Sequence, residues 1–125
     1  MSKQPIHSQL APSAVGPYSQ AIMHNDLIYV SGVIAIDPAT QQLSGTVAEQ
    51  TEQIMVSLNQ ILLAAGSSLQ QLIKTTIFLR DVDDFDTVNT VYQNFLTEPY
   101  PARICVEVSN IPLGALVEID AIAYK

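Results

Sequence analysis

PARICVEVSNIPLGALVEIDAIAYK, residues 101–125, closes the chain. Apolar and polar residues alternate in two runs, about 101–109 and 115–124, and that period of two marks strands. Arg103, Cys105 and Glu107 share one face of the first strand, with Ile104, Val106 and Val108 on the other. On the second, Val117, Ile119, Ala121 and Ala123 lie opposite Glu118, Asp120, Ile122 and Tyr124. Charges inside a strand pair are unfavourable in a core unless they are paired or put to use. A simple antiparallel hairpin closed by SNIPLGAL (109–116) would set Val108 against Val117 and Glu107 against Glu118. Every charged residue would then share one face, and helices would cover the other. In that register Arg103 lies about four residues, roughly 13 Å, from the position opposite Glu118. Contact within one hairpin would need a slipped register; otherwise the charges face solvent or a neighbouring subunit completes the arrangement.

Working outward, LIKTTIFLRDV (72–82) reads as another strand and DDFDTVNTVYQNFLTE (83–98) as a helix. Phe85, Val88, Tyr92, Phe95 and Leu96 form its apolar face, with Pro99 beyond its end. An earlier helix opens at Thr46, where Thr46 and Glu49 have the spacing of a capping box. Its stripe is Val47, Ile54, Leu58, Ile61, Leu62 and Ala65, and Gly66 suits the position just past its end. SQAIMHNDLIYVSGVIAI (19–36) reads as two strands about a turn at His24–Asn25–Asp26, and DPATQQLSG (37–45) as a loop. Residues 1–17, rich in Pro, Ser and Gly, read as an irregular arm. The order ββαβαββ indicates one α+β domain over residues 1–125, a mixed sheet with both helices packed on one face.

Composition narrows the function. The chain has 125 residues, 48% hydrophobic and only 14% charged, enough for a core without disulfide or metal. So few charges suggest that other copies of the chain cover part of the surface. The net charge of −7, with five scattered Lys and Arg, argues against nucleic acid. One cysteine excludes an internal disulfide and fits a reducing, cytoplasmic setting. No signal peptide or membrane span is expected.

The terminal strands, YPARICVEV followed by LVEIDAIA, resemble the C-terminal signature of the Rid family of reactive intermediate deaminases, also called YjgF proteins. The likeness extends through VGPYSQA (15–21), IYVSG (28–32), AAG (64–66), KTTIFLRDVDDFDTVNTVY (74–92) and PAR (101–103). The resemblance implies a chorismate-mutase-like α+β fold and a homotrimer whose sheets line a central barrel, with a site in each cleft between subunits. It also implies hydrolysis of 2-imino acids and their enamine tautomers, such as 2-aminoacrylate, 2-iminopropanoate and 2-iminobutanoate, to 2-oxo acids and ammonia. Arg103 matches the family arginine, whose planar fork suits a carboxylate. Glu118 matches the acid that would activate water and then protonate the departing nitrogen. Tyr18, Ser31, Gly32, Asn89 and Cys105 match positions lining the family pocket. Val33, where many members have Gln, and the loop before Arg103 depart from the pattern and bear on substrate size.

Plainer readings stand beside these. Tyr18 is also a half-buried aromatic, and Ser31 a strand-end hydroxyl. Cys105 has no histidine base marked by the sequence, so pocket lining suits it better than a nucleophile's role. Glu107 suits a structural ion pair, His24 a solvated turn, and Lys74 lacks the surroundings of a Schiff-base lysine. DVDDFD (81–86) lacks the central glycine and terminal glutamate of a calcium loop and suits a helix start. No metal, nucleotide or flavin motif is present, so no cofactor is expected. A non-catalytic binder of small carboxylates is the main rival, and a ribonuclease or translation inhibitor a weaker one.

Overall fold

The structure, a computed structural model, describes residues 2–43 and 45–125; the parts of the expected arm and loop that fall on Met1 and Ser44 lie outside them. Strands β1 (Gln4–Ile6), β2 (Ala21–His24), β3 (Leu27–Val33), β4 (Leu72–Leu79), β5 (Ala102–Glu107) and β6 (Val117–Tyr124) form one sheet. Helix α1 (Val47–Ala64) joins β3 to β4, and α2 (Phe85–Asn94) joins β4 to β5. The spatial order is β1-β2-β3-β6-β4-β5, all antiparallel except the β4–β5 pair. This is the mixed α+β sheet that the element order indicated.

Local chemistry accounts for most of the elements. Thr46 caps α1 with both bonds of the capping box formed, Thr46 N–H to Glu49 Oε1 at 2.9 Å and Glu49 N–H to Thr46 Oγ1 at 3.2 Å. Ile54, Met55, Leu58, Ile61 and Leu62 are all but fully buried along its stripe. Gly66, at φ +80, lets the chain leave the helix in the left-handed region. Asn25 and Asp26 both take positive φ, 52° and 67°, between the paired His24 and Leu27; this geometry fits the right-handed twist of a two-residue hairpin. The second helix is shorter than its apolar pattern suggested, because Val82–Asp84 forms a separate 3₁₀ turn and α2 ends at Asn94. Among the described residues, no helix is long and apolar enough to cross a membrane.

Two expectations need correction. The arm is not wholly irregular, since Gln4–Ile6 adds an edge strand with Pro5 opposite Ile22. A three-residue strand containing proline carries almost no sequence signal, and an edge is where proline is tolerated. More consequentially, β5 and β6 are not a hairpin. β4 lies between them, parallel to β5 (Thr75 opposite Arg103) and antiparallel to β6 (Phe78 opposite Glu118). The helix α2 carries the chain back so that β5 starts at the same end as β4, which dictates parallel pairing. The 108–116 connection then passes over the end of β4, held by Val108 N–H to Leu79 C=O at 2.8 Å and Arg80 N–H to Leu116 C=O at 3.2 Å. The steps from β3 to β4 and from β4 to β5 run the same way across the sheet. Crossovers of one hand therefore put both helices on one face.

That register reverses the expected grouping of charges. Thr75, buried and bonded through its hydroxyl to Tyr92 Oη of α2 at 2.7 Å, lies on the helix-covered face. Arg103 is level with Thr75 and shares that face. Val117 and Ile119 are fully buried beneath the helices, so Glu118 and Asp120 point to the opposite, open face.

Candidate functional site

Arg103 sits on the edge strand β5, beside α2. Its Nη1–H donates to Asn89 Oδ1 at 2.6 Å. The guanidinium carbon lies 5.4 Å from the ring centroid of Phe85 and 5.2 Å from that of Tyr92, within cation–π range. Phe85, Asn89 and Tyr92 fall on one side of α2 because they are four and three residues apart. One polar and two aromatic contacts thus orient the fork, while its remaining N–H donors make no hydrogen bond among the described residues. The carboxylates offered as structural partners are elsewhere: Glu107 accepts from Val82 N–H at 2.8 Å, and Glu118 is on the other face. Cys105 follows Arg103 on the same face and packs against the core. Burial pushes its thiol up, with Arg103 opposing the shift in part. A thiol held protonated is a poor nucleophile, and lining is the role that its position suits.

The second group gathers about the central strands β3 and β6. Between Val30–Ala121 and Val33–Ile119, three steps on β3 face two on β6, a bulge at Ser31 and Gly32. A Cβ at Gly32 would overlap the Glu118 carboxylate, so this position needs glycine for close approach. Glu118 is half-buried, and its pKa is raised first by that burial and then by the charge of Asp120. The Ser31 hydroxyl donates to Ser19 C=O at 2.6 Å and its N–H to Gln20 C=O at 3.0 Å. This serine therefore holds the Ser19–Gln20 segment against β3 and, through it, sets the base of Tyr18. Tyr18 is 49% exposed. It lines a cleft of about 710 Å³ together with Ser31, Gly32 and Glu118.

Gln20 escaped the sequence reading. It is 6% exposed, and its side chain ties the arm to β2: Oε1 accepts from Ser8 N–H at 2.7 Å, and Nε2 donates to Ser8 C=O at 3.1 Å and Pro12 C=O at 2.7 Å. Pro12 and Val15 of that arm line the cleft, so Gln20 positions one of its walls. The only available signal was an amide at the entry to an apolar strand. Gln50 is similar: buried, it accepts from Leu116 N–H at 3.0 Å and fixes the lead into β6.

The expected residues therefore fall into two groups. Asn89, Arg103 and Cys105 lie under α2, while Tyr18, Ser31, Gly32 and Glu118 line the cleft. β4 separates β5 from β6, and Arg103 and Glu118 are three residues out of step along the strands. Their backbones are thus about 14 Å apart, with side chains on opposite faces. One chain does not bring them together.

Comparison with known proteins bears on this divided arrangement. Residues 8–125 match the family model described as Endoribonuclease L-PSP. A RutC family protein, y4sK, from Sinorhizobium fredii is 50% identical over 120 residues, spanning 95% of each chain. The human protein named 2-iminobutanoate/2-iminopropanoate deaminase is 42% identical over 121 residues, 96% of this chain and 88% of that one. The crystal structure of RidA from an Antarctic Psychrobacter superposes with a TM-score of 0.95 at 41% identity, covering 98% of this chain and 99% of the other. With fold, motifs and nearly the whole length in common, the chain belongs to the Endoribonuclease L-PSP family, also known as the YjgF or Rid family.

Proposed function

We propose that this protein hydrolyses reactive 2-imino acids and their enamine tautomers, among them 2-aminoacrylate, 2-iminopropanoate and 2-iminobutanoate, to 2-oxo acids and ammonia. The observation that carries the proposal is the Arg103 fork, oriented by Asn89, Phe85 and Tyr92 yet without a carboxylate partner among the described residues. Such a fork suits a small carboxylate ligand through two parallel hydrogen bonds. The similar human protein, named for this activity, supports the same reaction.

Glu118 supplies the proton chemistry. Its raised pKa brings a carboxyl group closer to neutral pH, where one group can both accept and return a proton. As carboxylate it takes a proton from water while the oxygen attacks the C=N carbon. As acid it returns that proton to nitrogen, giving a tetrahedral carbinolamine; the hydroxyl proton then passes to the same nitrogen by way of Glu118, the C–N bond breaks, and ammonia leaves as the C=O forms. An enamine first gains a proton at carbon and then follows the same course. The reaction balances as imine plus water giving oxo acid plus ammonia, with no cofactor called upon.

Because Arg103 and Glu118 lie on opposite faces of one chain, the complete site takes Arg103, Asn89 and Cys105 from one copy and Glu118, Gly32 and Tyr18 from the next. A closed homotrimer is the assembly this reading requires, with the open sheet faces turned inward as a barrel. Tyr29, Ile104 and Val106 are exposed on that face, and their burial between copies would supply the driving force. Against the nuclease reading that the family's descriptive name carries, the net charge of −7 with five basic residues provides no phosphate-binding surface. Generating 2-iminobutanoate in situ and following oxo-acid release, with and without the protein, tests the proposal. A rate no faster than spontaneous hydrolysis would leave the carboxylate-binding reading instead.

A further inference from the structure

Thr75, Ile77 and Leu79 alternate along β4 and are all buried on the helix-covered face. Thr75 is the polar one. Its hydroxyl meets Tyr92 Oη at 2.7 Å, and Tyr92, 4% exposed, reaches from α2 to make that bond. Valine and phenylalanine would fill the same space. Replacing both partners of a buried hydrogen bond by apolar groups of the same shape is nearly neutral or stabilising, so stability does not call for this pair. Its place in the sheet points elsewhere. Thr75 lies directly opposite Arg103 in the parallel β4–β5 register, and the Tyr92 ring centroid is 5.2 Å from the Arg103 guanidinium carbon. Burial pushes the Tyr92 hydroxyl up, with the Thr75 bond and the Arg103 charge opposing the shift in part. Tyr92 therefore stays a neutral O–H, and Arg103 meets a ring face rather than a phenolate.

We propose that Thr75 and Tyr92 are positioning residues for the carboxylate clamp, their paired hydroxyls fixing the ring on which the Arg103 fork rests. The inference deepens the deaminase reading above and rests on it. A ring held by packing alone can tilt about its side-chain bonds. One whose hydroxyl is tethered to β4, an interior strand between β5 and β6, cannot. Asn89 Oδ1 fixes one Nη1–H of the fork at 2.6 Å, and the tethered ring fixes its plane. The N–H donors left for a carboxylate then keep their direction, although neither hydroxyl touches the substrate.

The test compares wild type with the double variant Thr75→Val/Tyr92→Phe, which removes both hydroxyls and strands neither, and with Thr75→Ser, which keeps the hydroxyl and loses only a methyl. Rotation of the Arg103 guanidinium is read by nitrogen NMR of the arginine side chains; the chain has two, and Arg80 is the internal reference. Binding of 2-oxobutanoate is measured by calorimetry, hydrolysis of 2-iminobutanoate gives KM and kcat, and melting temperature is recorded. In the double variant Arg103 should rotate faster while Arg80 does not change. Kd and KM should rise about fivefold, the scale of one neutral hydrogen bond, with the melting temperature at or above that of wild type. Thr75→Ser should match wild type in rotation and binding. Wild-type rotation and Kd in the double variant overturn the proposal and leave the pair as core packing. Thr75→Ser protein that loosens Arg103 as much as the double variant overturns it too, because the methyl rather than the hydroxyl would then set the fork. Wild-type protein that hydrolyses no imine refutes the deaminase reading, while Arg103 rotation still decides the role of Thr75 and Tyr92.

Discussion

Replacing Arg103 by lysine keeps the positive charge on β5 but removes the planar fork. In the wild-type chain one N–H of that fork is committed to Asn89 Oδ1 at 2.6 Å, and the ring faces of Phe85 and Tyr92 hold its plane. The other donors are free for two parallel bonds to a substrate carboxylate. A lysine ammonium is a point donor on a flexible stem; it cannot hold Asn89 and both carboxylate oxygens in that arrangement. At least one charge-assisted bond is lost, and such bonds contribute about 1.5–3 kcal/mol. With a factor of ten for each ~1.4 kcal/mol, kcat/KM should fall about 10–10²-fold. Arg103→Ala should lose more, because both bonds and the charge disappear. Folding should survive both changes. No carboxylate of the same chain is stranded, since Glu107 bonds to Val82 N–H and Glu118 faces away, so the losses are the Asn89 bond and the ring contacts, each roughly 0.5–1.5 kcal/mol. The assay is imine hydrolysis together with 2-oxo acid binding, melting temperature and light scattering on the same preparations. Wild-type kcat/KM and affinity in Arg103→Lys would refute the clamp. An Arg103→Ala protein that dissociates or melts far below wild type would mark Arg103 as a structural partner across the interface.

Three further outcomes are expected. Glu118→Gln should lower turnover about 10²–10⁴-fold, as loss of a general base does, while 2-oxo acid binding remains. It should also raise the melting temperature at neutral pH. A carboxyl whose folded pKa is raised stabilises the fold fully below its unfolded pKa and loses that contribution as pH rises through the folded pKa. The gap between variant and wild type should therefore be widest near pH 7 and close once pH drops below the ordinary carboxylate range; a gap independent of pH would contradict the assigned desolvation. Gly32→Ala should fold, because the group it overlaps is the end of the flexible Glu118 side chain, yet displace that carboxylate and slow turnover; full activity would remove Glu118 from the chemistry. Gln20→Ala should strand the Ser8 N–H and the Ser8 and Pro12 carbonyls and destabilise the protein by about 1–3 kcal/mol, read by denaturant melts, with the 1–15 arm cut first in limited proteolysis.

Much of this arrangement was legible in the chain, but not its central feature. The capping box at Thr46, the α1 stripe and the His24–Asp26 turn are set by neighbouring residues, and the structure has each where the sequence predicts it. Alternation likewise tells which residues of a strand share a face. It does not tell which strand lies next to which, and there the hairpin expectation failed. Placing β4 between β5 and β6 depends on the α2 crossover, a property of connection geometry rather than of any local pattern. Once β4 intervenes, Arg103 and Glu118 go to opposite faces, although alternation alone marks each as a charge within a strand. Gln20 was missed for a related reason. Its partners Ser8 and Pro12 are distant in sequence and lie in an arm with no regular pattern.

The account depends most on a site shared between two copies, and mixing two inactive variants tests it directly. Arg103→Ala and Glu118→Gln chains are unfolded together in equal amounts, refolded, and assayed for imine hydrolysis beside each variant refolded alone. If Arg103 of one copy meets Glu118 of the next in a closed trimer, random assembly restores about a quarter of the sites, each pairing an intact arginine with an intact glutamate. Activity near a quarter of the wild-type value is the predicted result. Activity no higher than that of the separate variants, with mixed trimers demonstrated by mass spectrometry, would contradict the shared site.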